Sequence, residues 1–143
     1  MTRSQRMKRI VSLNEVQKSI ASQRLADSRG RHDANQKKLN DFRRYRLEYG
    51  RALQQPGNAM TVATARDTRV FLDQLDKTIA ALEAMVTRSE RDCERELGAW
   101  KKEAQRANVL GDILTRCTQN EEADYEGRLQ REIDDRRVEK AEL

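Results

Sequence analysis

Few residues in this chain have side chains that carry chemistry: one histidine, His32, two cysteines, Cys93 and Cys117, and many carboxylates. Imidazole and thiolate together are the donor set of structural zinc, but such a site needs several of these ligands gathered at one point. One His and two distant Cys do not supply it. The cysteines lie 24 residues apart on one predicted helix, a separation of roughly 36 Å at 1.5 Å per residue. They cannot bridge within that helix. The expectation is two small, buried, reduced cysteines in a helical seam of a cytosolic protein. A nucleophilic triad cannot be assembled around His32 either, and His32 reads as a tolerated polar residue at or beside the seam. The chain has no G-x-x-x-x-G-K-[ST] loop and no Gly-rich dinucleotide turn. Its carboxylates fall on open helix surface, whereas raising a carboxyl pKa for acid catalysis needs a pocket. No enzyme, no catalytic residue, no metal, no cofactor and no small-molecule substrate are expected.

The elements that position these residues follow from composition. Hydrophobic residues make up 36%, charged residues 37% and aromatics 4% of the 143 residues. Low hydrophobicity with high charge is also the signature of disorder. Two features argue against disorder here. Proline occurs once, and the apolar residues are spaced at a helical period, as in long helices and coiled coils. No stretch approaches the roughly 18 apolar residues of a membrane span. The basic N-terminus is followed by no apolar run, so no signal peptide is expected.

The one strong break is Gln54-Gln-Pro-Gly-Asn-Ala-Met-Thr61, where proline disfavours helix before it and Gly-Asn tolerates a reversal. After it, heptads can be written without strain. One seam row is Leu72, Ile79, Val86, Cys93, Trp100, Ala107 and Leu114. The other is Leu75, Leu82, Ser89, Glu96, Glu103, Leu110 and Cys117, with Leu97 and Ala104 taking over where Ser89, Glu96 and Glu103 weaken it. Before the break the rows are Val11, Leu25, Leu39, Leu53 and Met7, Ala21, Phe42, Tyr49, interrupted by Asn14, Lys18, Ser28, His32, Asn35 and Arg46. A seven-residue apolar repeat makes a stripe that a partner helix must cover. The reading is a single all-α coiled-coil domain over 1–143. It consists of two long helices in an antiparallel hairpin, with helix 1 over about 4–54, a turn at 55–60, and a longer helix 2 over about 61–140. Reversal at Pro56-Gly57-Asn58 sets residue i opposite about 115 − i, pairing Phe42 with Leu72 and Leu39 with Leu75. About 30 residues of helix 2 then overhang, and Leu110, Leu114 and Cys117 form an exposed seam there.

Charge is unevenly distributed. Residues 1–54 carry 14 Lys/Arg against 5 Asp/Glu, residues 55–118 carry 10 of each, and residues 119–143 carry 5 against 9. The basic arm admits phosphate contacts by Lys37, Lys38, Arg43, Arg44 and Arg46. Interspersed Asp41 and Glu48 favour instead the solvated flank of a coiled coil, so nucleic acid is disfavoured as a partner. Four of the five Phe/Tyr residues, Phe42, Tyr45, Tyr49 and Phe71, gather beside the turn. In a chain so poor in aromatics they read either as a recognition surface or as a cap on the tip's small core.

At this cluster the sequence resembles a known family. Leu39-Asn-Asp-Phe-Arg-Arg-Tyr-Arg-Leu-Glu-Tyr49 is similar to the L-x-x-[LF]-x-x-Y-x-x-E-Y stretch of the flagellar export protein FliJ. Phe71-Leu-Asp-Gln-Leu-Asp-Lys-Thr-Ile79 resembles that family's F-[LI]-x-x-L-x-x-x-I segment. Trp100 with Arg106, Leu110, Leu114 and Arg116 resembles a third run, and together the likeness covers roughly residues 3–140. It implies a cytosolic, non-catalytic stalk and chaperone escort of flagellar type III export, peripheral to the inner membrane at the flagellar base. Its implied partners are the hexameric export ATPase, whose ring it enters by the end bearing the two termini, the export-gate membrane protein, and export chaperones. The implied gate contact falls on Lys38, Phe42, Tyr45, Tyr49, Phe71, Leu75, Thr78 and Leu82, although Lys38, Thr78 and Leu82 depart from the family's residues. The equivalent stalk of a virulence injectisome is the nearest alternative, and a basic coiled coil associated with nucleic acid is a second.

Overall fold

A computed structural model describes residues 1–54 and 61–142. The described residues form two α-helices and no strand: α1, Arg3–Gln54, and the longer α2, Val62–Glu142. The proposed reversal at Pro56-Gly57-Asn58 lies outside the described residues. Both helix starts are capped by local chemistry. Thr2 Oγ1 accepts from the Gln5 N–H at 3.3 Å while Gln5 Oε1 accepts from the Thr2 N–H at 3.0 Å. This reciprocal pair is a capping box that satisfies two amides a helix start would otherwise leave open. Thr61 Oγ1 likewise accepts from the Thr64 N–H at 3.2 Å.

The helical pair divides into two compact units, Ser22–Ala99 and Met1–Ala21 with Trp100–Leu143. In the first, the two helices run antiparallel and bury Leu25, Leu39, Leu72, Leu75 and Leu82, together with Ser28 and Ser89. Each of these falls on a predicted seam row. Ile79, Val86 and Cys93 are half-buried on the same rows. The polar interruptions pair with one another across the seam. Ser28 Oγ meets Cys93 Sγ at 3.4 Å, and His32 Nδ1 meets Ser89 Oγ at 3.0 Å. The Ser89 hydroxyl donates to Val86 O at 2.9 Å, which leaves the imidazole Nδ1–H to donate to Ser89. A buried hydroxyl left alone would cost about 1–3 kcal/mol, so these pairs are what makes a partly polar seam tolerable.

In the unit formed by Met1–Ala21 and Trp100–Leu143, the buried residues are Ser4, Asn14, Ala21 and Cys117. Trp100, Leu110 and Leu114 are half-buried beside them. Asn14 Nδ2 donates to Glu103 Oε2 at 3.1 Å, while its Oδ1 is buried with no hydrogen-bond partner. Glu121 accepts from the Ser4 N–H at 3.0 Å and from Ser4 Oγ at 2.6 Å. Those two bonds hold the Glu121 carboxyl below its ordinary pKa against an opposing desolvation, with the charge of Lys8 adding the smallest contribution. A carboxylate supplied by α2 thus complements the positive end of α1.

The observed register corrects the expected one. Pairs 28 with 93, 32 with 89 and 49 with 71 place residue i opposite about 121 − i, not 115 − i. Phe42 therefore does not face Leu72, nor Leu39 face Leu75. The difference is close to one heptad, and a seven-residue repeat is nearly unchanged by such a slide. Polar side chains break the degeneracy: a slide of one heptad would set His32 against Leu82 and Ser28 against Val86. The overhang is corrected with it. Glu121 still meets Ser4 at the start of α1, so Leu110, Leu114 and buried Cys117 lie within the paired seam. The unpaired part of α2 is residues 122–142, all exposed except half-buried Gly127.

Candidate docking surface

The residues flanking the 55–60 segment occupy one end of the unit Ser22–Ala99. Phe42 is a predicted seam position and is half-buried, with its ring edge-on to Tyr45 at a centroid distance of 5.9 Å and 69°. Tyr49 packs edge-on to Phe71 across the two helices at 5.0 Å and 77°. Such pairs contribute on the order of 0.5–1.5 kcal/mol beyond the area they bury. Yet Tyr45, Tyr49 and Phe71 remain between two-fifths and one-half exposed. The Tyr49–Phe71 contact joins the two helices, while Tyr45, Tyr49 and Phe71 each keep part of the ring exposed.

The remaining implied contact residues separate into two groups. Lys38 and Thr78 are exposed, with the Thr78 hydroxyl donating back to Gln74 O at 3.0 Å. Leu75 and Leu82 are buried in the seam at 6% and 4% exposure. Their side chains hold α2 against α1, so their bearing on any surface is through position.

Beside the aromatics lies a flank of cross-helix ion pairs that the sequence did not single out. Arg46 Nε donates to Asp76 Oδ1 at 2.8 Å, and Arg43 Nη2 to Glu83 Oε1 at 3.2 Å. Arg44 pairs within α1 with Asp41 at 2.8 Å. Exposed pairs of this kind contribute only about 0–1 kcal/mol, but three of the five basic residues considered for phosphate contacts are engaged by carboxylates. The absence of a side chain at Gly50 admits the Arg46 guanidinium, which a Cβ there would meet at 2.8 Å. Spacing alone hid these pairs, because they depend on the inter-helix register.

No group of three or more His, Cys, Asp or Glu able to hold a metal occurs among the described residues. His32 and Cys93 share a shallow groove with Arg29, Glu90, Glu94 and Leu97, and the histidine and thiol are turned to Ser89 and Ser28. Both cysteines are free, Cys117 buried and Cys93 half-buried. No helix of the described residues is long and apolar enough to cross a membrane.

Comparison with known proteins decides the family. The family described as Flagellar FliJ protein matches residues 3–140, nearly the whole chain. The chain belongs to the FliJ family. No curated protein and no solved structure matches it. Membership makes it a flagellar export component of the stalk and escort kind, a non-catalytic role in flagellum biogenesis and protein export. Membership implies interaction with components of the flagellar export apparatus in general.

Proposed function

We propose that this FliJ-family chain acts as a stalk within the hexameric export ATPase, promoting ring assembly and hydrolysis, while its turn-proximal aromatics dock on the export-gate membrane protein. The observation that carries the reading is the outward face of Tyr45, Tyr49 and Phe71. It is an apolar surface on a chain that has 4% aromatics in total. Interface energy concentrates in such aromatic anchors. Phe42 supports them from the seam side, Lys38 and Thr78 lie exposed nearby, and Leu75 and Leu82 set the spacing of the two helices beneath. In the same reading the terminal unit enters the ATPase ring, the protein escorts export chaperones, and it works in the cytoplasm at the inner-membrane face of the flagellar base.

The mechanism asks for no chemistry from the chain. A two-helix stalk changes ring assembly only through contacts that differ between assembled and unassembled subunits. The first test is the hydrolysis rate of the cognate export ATPase with and without this protein. Stimulation with co-elution is expected; no stimulation and no co-elution would refute the stalk role. The second is motility of cells carrying Tyr45→Ala with Tyr49→Ala. Both side chains are exposed, so the fold should persist by circular dichroism while motility falls. Unchanged motility would remove the docking role.

A further inference from the structure

The unit formed by Met1–Ala21 and Trp100–Leu143 exposes two apolar rows. On α1, Ile10, Leu13, Val16 and Ile20 are all exposed, Leu13 by 66%. Their spacing of three, three and four places them on one face. That face is not the seam, which passes through Val11, Asn14, Lys18 and Ala21. A shallow groove over it is lined by Lys8, Arg9, Ser12, Leu13 and Val16. On α2, Tyr125, Leu129 and Ile133 are exposed at intervals of four within the unpaired segment.

The two rows complement each other in three ways. Ile10, Leu13 and Val16 form a ridge of residues three apart, and Tyr125, Leu129 and Ile133 one of residues four apart. Packing one kind of ridge into the grooves of the other gives helices crossing at about 20°, nearly aligned. Their lengths match, because residues 122–142 and residues 3–21 each span roughly 30 Å at 1.5 Å per residue. Their charges oppose: residues 1–20 carry five Lys/Arg and one Asp/Glu, whereas residues 122–142 carry eight Asp/Glu and five Lys/Arg. Within one molecule the rows cannot meet, since α2 continues past the start of α1 in the direction away from it.

We propose that two copies of this chain associate through their terminal units by reciprocal exchange. The 122–142 segment of each copy lies along the Ile10–Ile20 face of the other, adding a third helix to each pair. A two-fold axis makes the contact self-complementary and closed, with two equal interfaces. Opposite charges around the apolar rows favour this pairing at low salt and weaken it as ionic strength rises. The inference does not use the aromatics proposed to dock on the gate. It engages the same terminal unit that the stalk reading places in the ring, so the dimer and the ring-bound form are alternative states.

The test is sedimentation velocity of the full chain at low salt, at concentrations on the order of 100 μM. A concentration-dependent dimer is expected, and a monomer throughout would overturn the proposal. Leu13→Asp with Val16→Asp should weaken the dimer by at least about tenfold, and Leu129→Asp with Ile133→Asp equally so. All four side chains are exposed, so helicity should be unchanged. Loss of the dimer in one double variant but not the other would overturn the exchange. The decisive sample is an equimolar mixture of the two double variants. A heterodimer retains one intact interface, between the native 122–142 segment of one copy and the native α1 face of the other. Exchange therefore expects heterodimer in the mixture where each variant alone is monomeric, and a mixture that stays monomeric would refute it.

Discussion

The two compact units are built from the same two helices, yet they are held together differently. The unit Ser22–Ala99 buries five leucines, with Ser28 and Ser89 paired to Cys93 and His32. The terminal unit buries Ser4, Asn14, Ala21 and Cys117, so its seam is small and polar where the other is large and apolar. Each fully buried leucine contributes about 1.5–3 kcal/mol, whereas hydrogen bonds contribute about 1 kcal/mol each net. Apolar stabilisation should therefore be concentrated in the unit Ser22–Ala99.

The largest expected effect tests the apolar side of this contrast. Leu39 is 2% exposed, and Leu39→Ala should cost about 2–5 kcal/mol in unfolding free energy. Leu114→Ala, at a half-buried position of the terminal unit, should cost distinctly less. Denaturant titration of both variants checks the ranking, and equal losses would erase the distinction between the units.

Asn14 probes the polar side. Its Oδ1 is buried without a partner, a state that costs on the order of 1–3 kcal/mol. Asn14→Leu should raise stability while weakening the preference for one register, as removal of a buried polar seam residue does in coiled coils. Thermal unfolding should shift upward, and a spin-label pair placed across the seam should report more than one separation. A single separation as narrow as that of the unsubstituted chain would show that Asn14 has no part in register.

A smaller effect is expected at helix glycines. A Cβ at Gly111 meets nothing within 4 Å, so Gly111→Ala should stabilise by up to about 1 kcal/mol. Gly50→Ala should gain less, because its Cβ displaces the Arg46 guanidinium from the neighbourhood of Asp76. Melting temperatures of the two variants decide this.

The smallest effect concerns Glu121. Its folded-state pKa is lowered, chiefly by the Ser4 hydroxyl and amide. Its contribution is therefore fully present above the unfolded-state carboxyl pKa of about 4.3 and is lost as pH falls through the lowered folded value. Hydrogen exchange of the first turn of α1 should speed up, relative to its intrinsic rate, across that acid window. Glu121→Gln should remove the pH dependence. A pH dependence that survives the substitution would place the effect elsewhere.

Much of this was legible in the residues. Buried Leu25, Leu39, Leu72, Leu75, Leu82 and Cys117 all fall on the heptad rows, because burial on a helix pair follows a period that sequence carries directly. So do the polar interruptions Asn14, Ser28 and Ser89, which the rows include as breaks and the fold uses as partners. The aromatic cluster was also visible, because four of five Phe/Tyr residues lie beside one break. The implied contact set was less so. Leu75 and Leu82 share a helix face with Phe71 and Thr78, at spacings of four and three, but they lie nearer the seam and are buried while the other two stay exposed.

The residue pattern alone requires that two helices pair, which stripe each buries, and that the two ends differ in charge. How the stripes are matched depends on the folded pair. A heptad seam slid by one repeat buries nearly the same apolar rows, so hydrophobic periodicity leaves the register nearly degenerate. The choice falls to pairs distant in sequence, Ser28 with Cys93, His32 with Ser89 and Ser4 with Glu121. Each is satisfied in one alignment and stranded in the next.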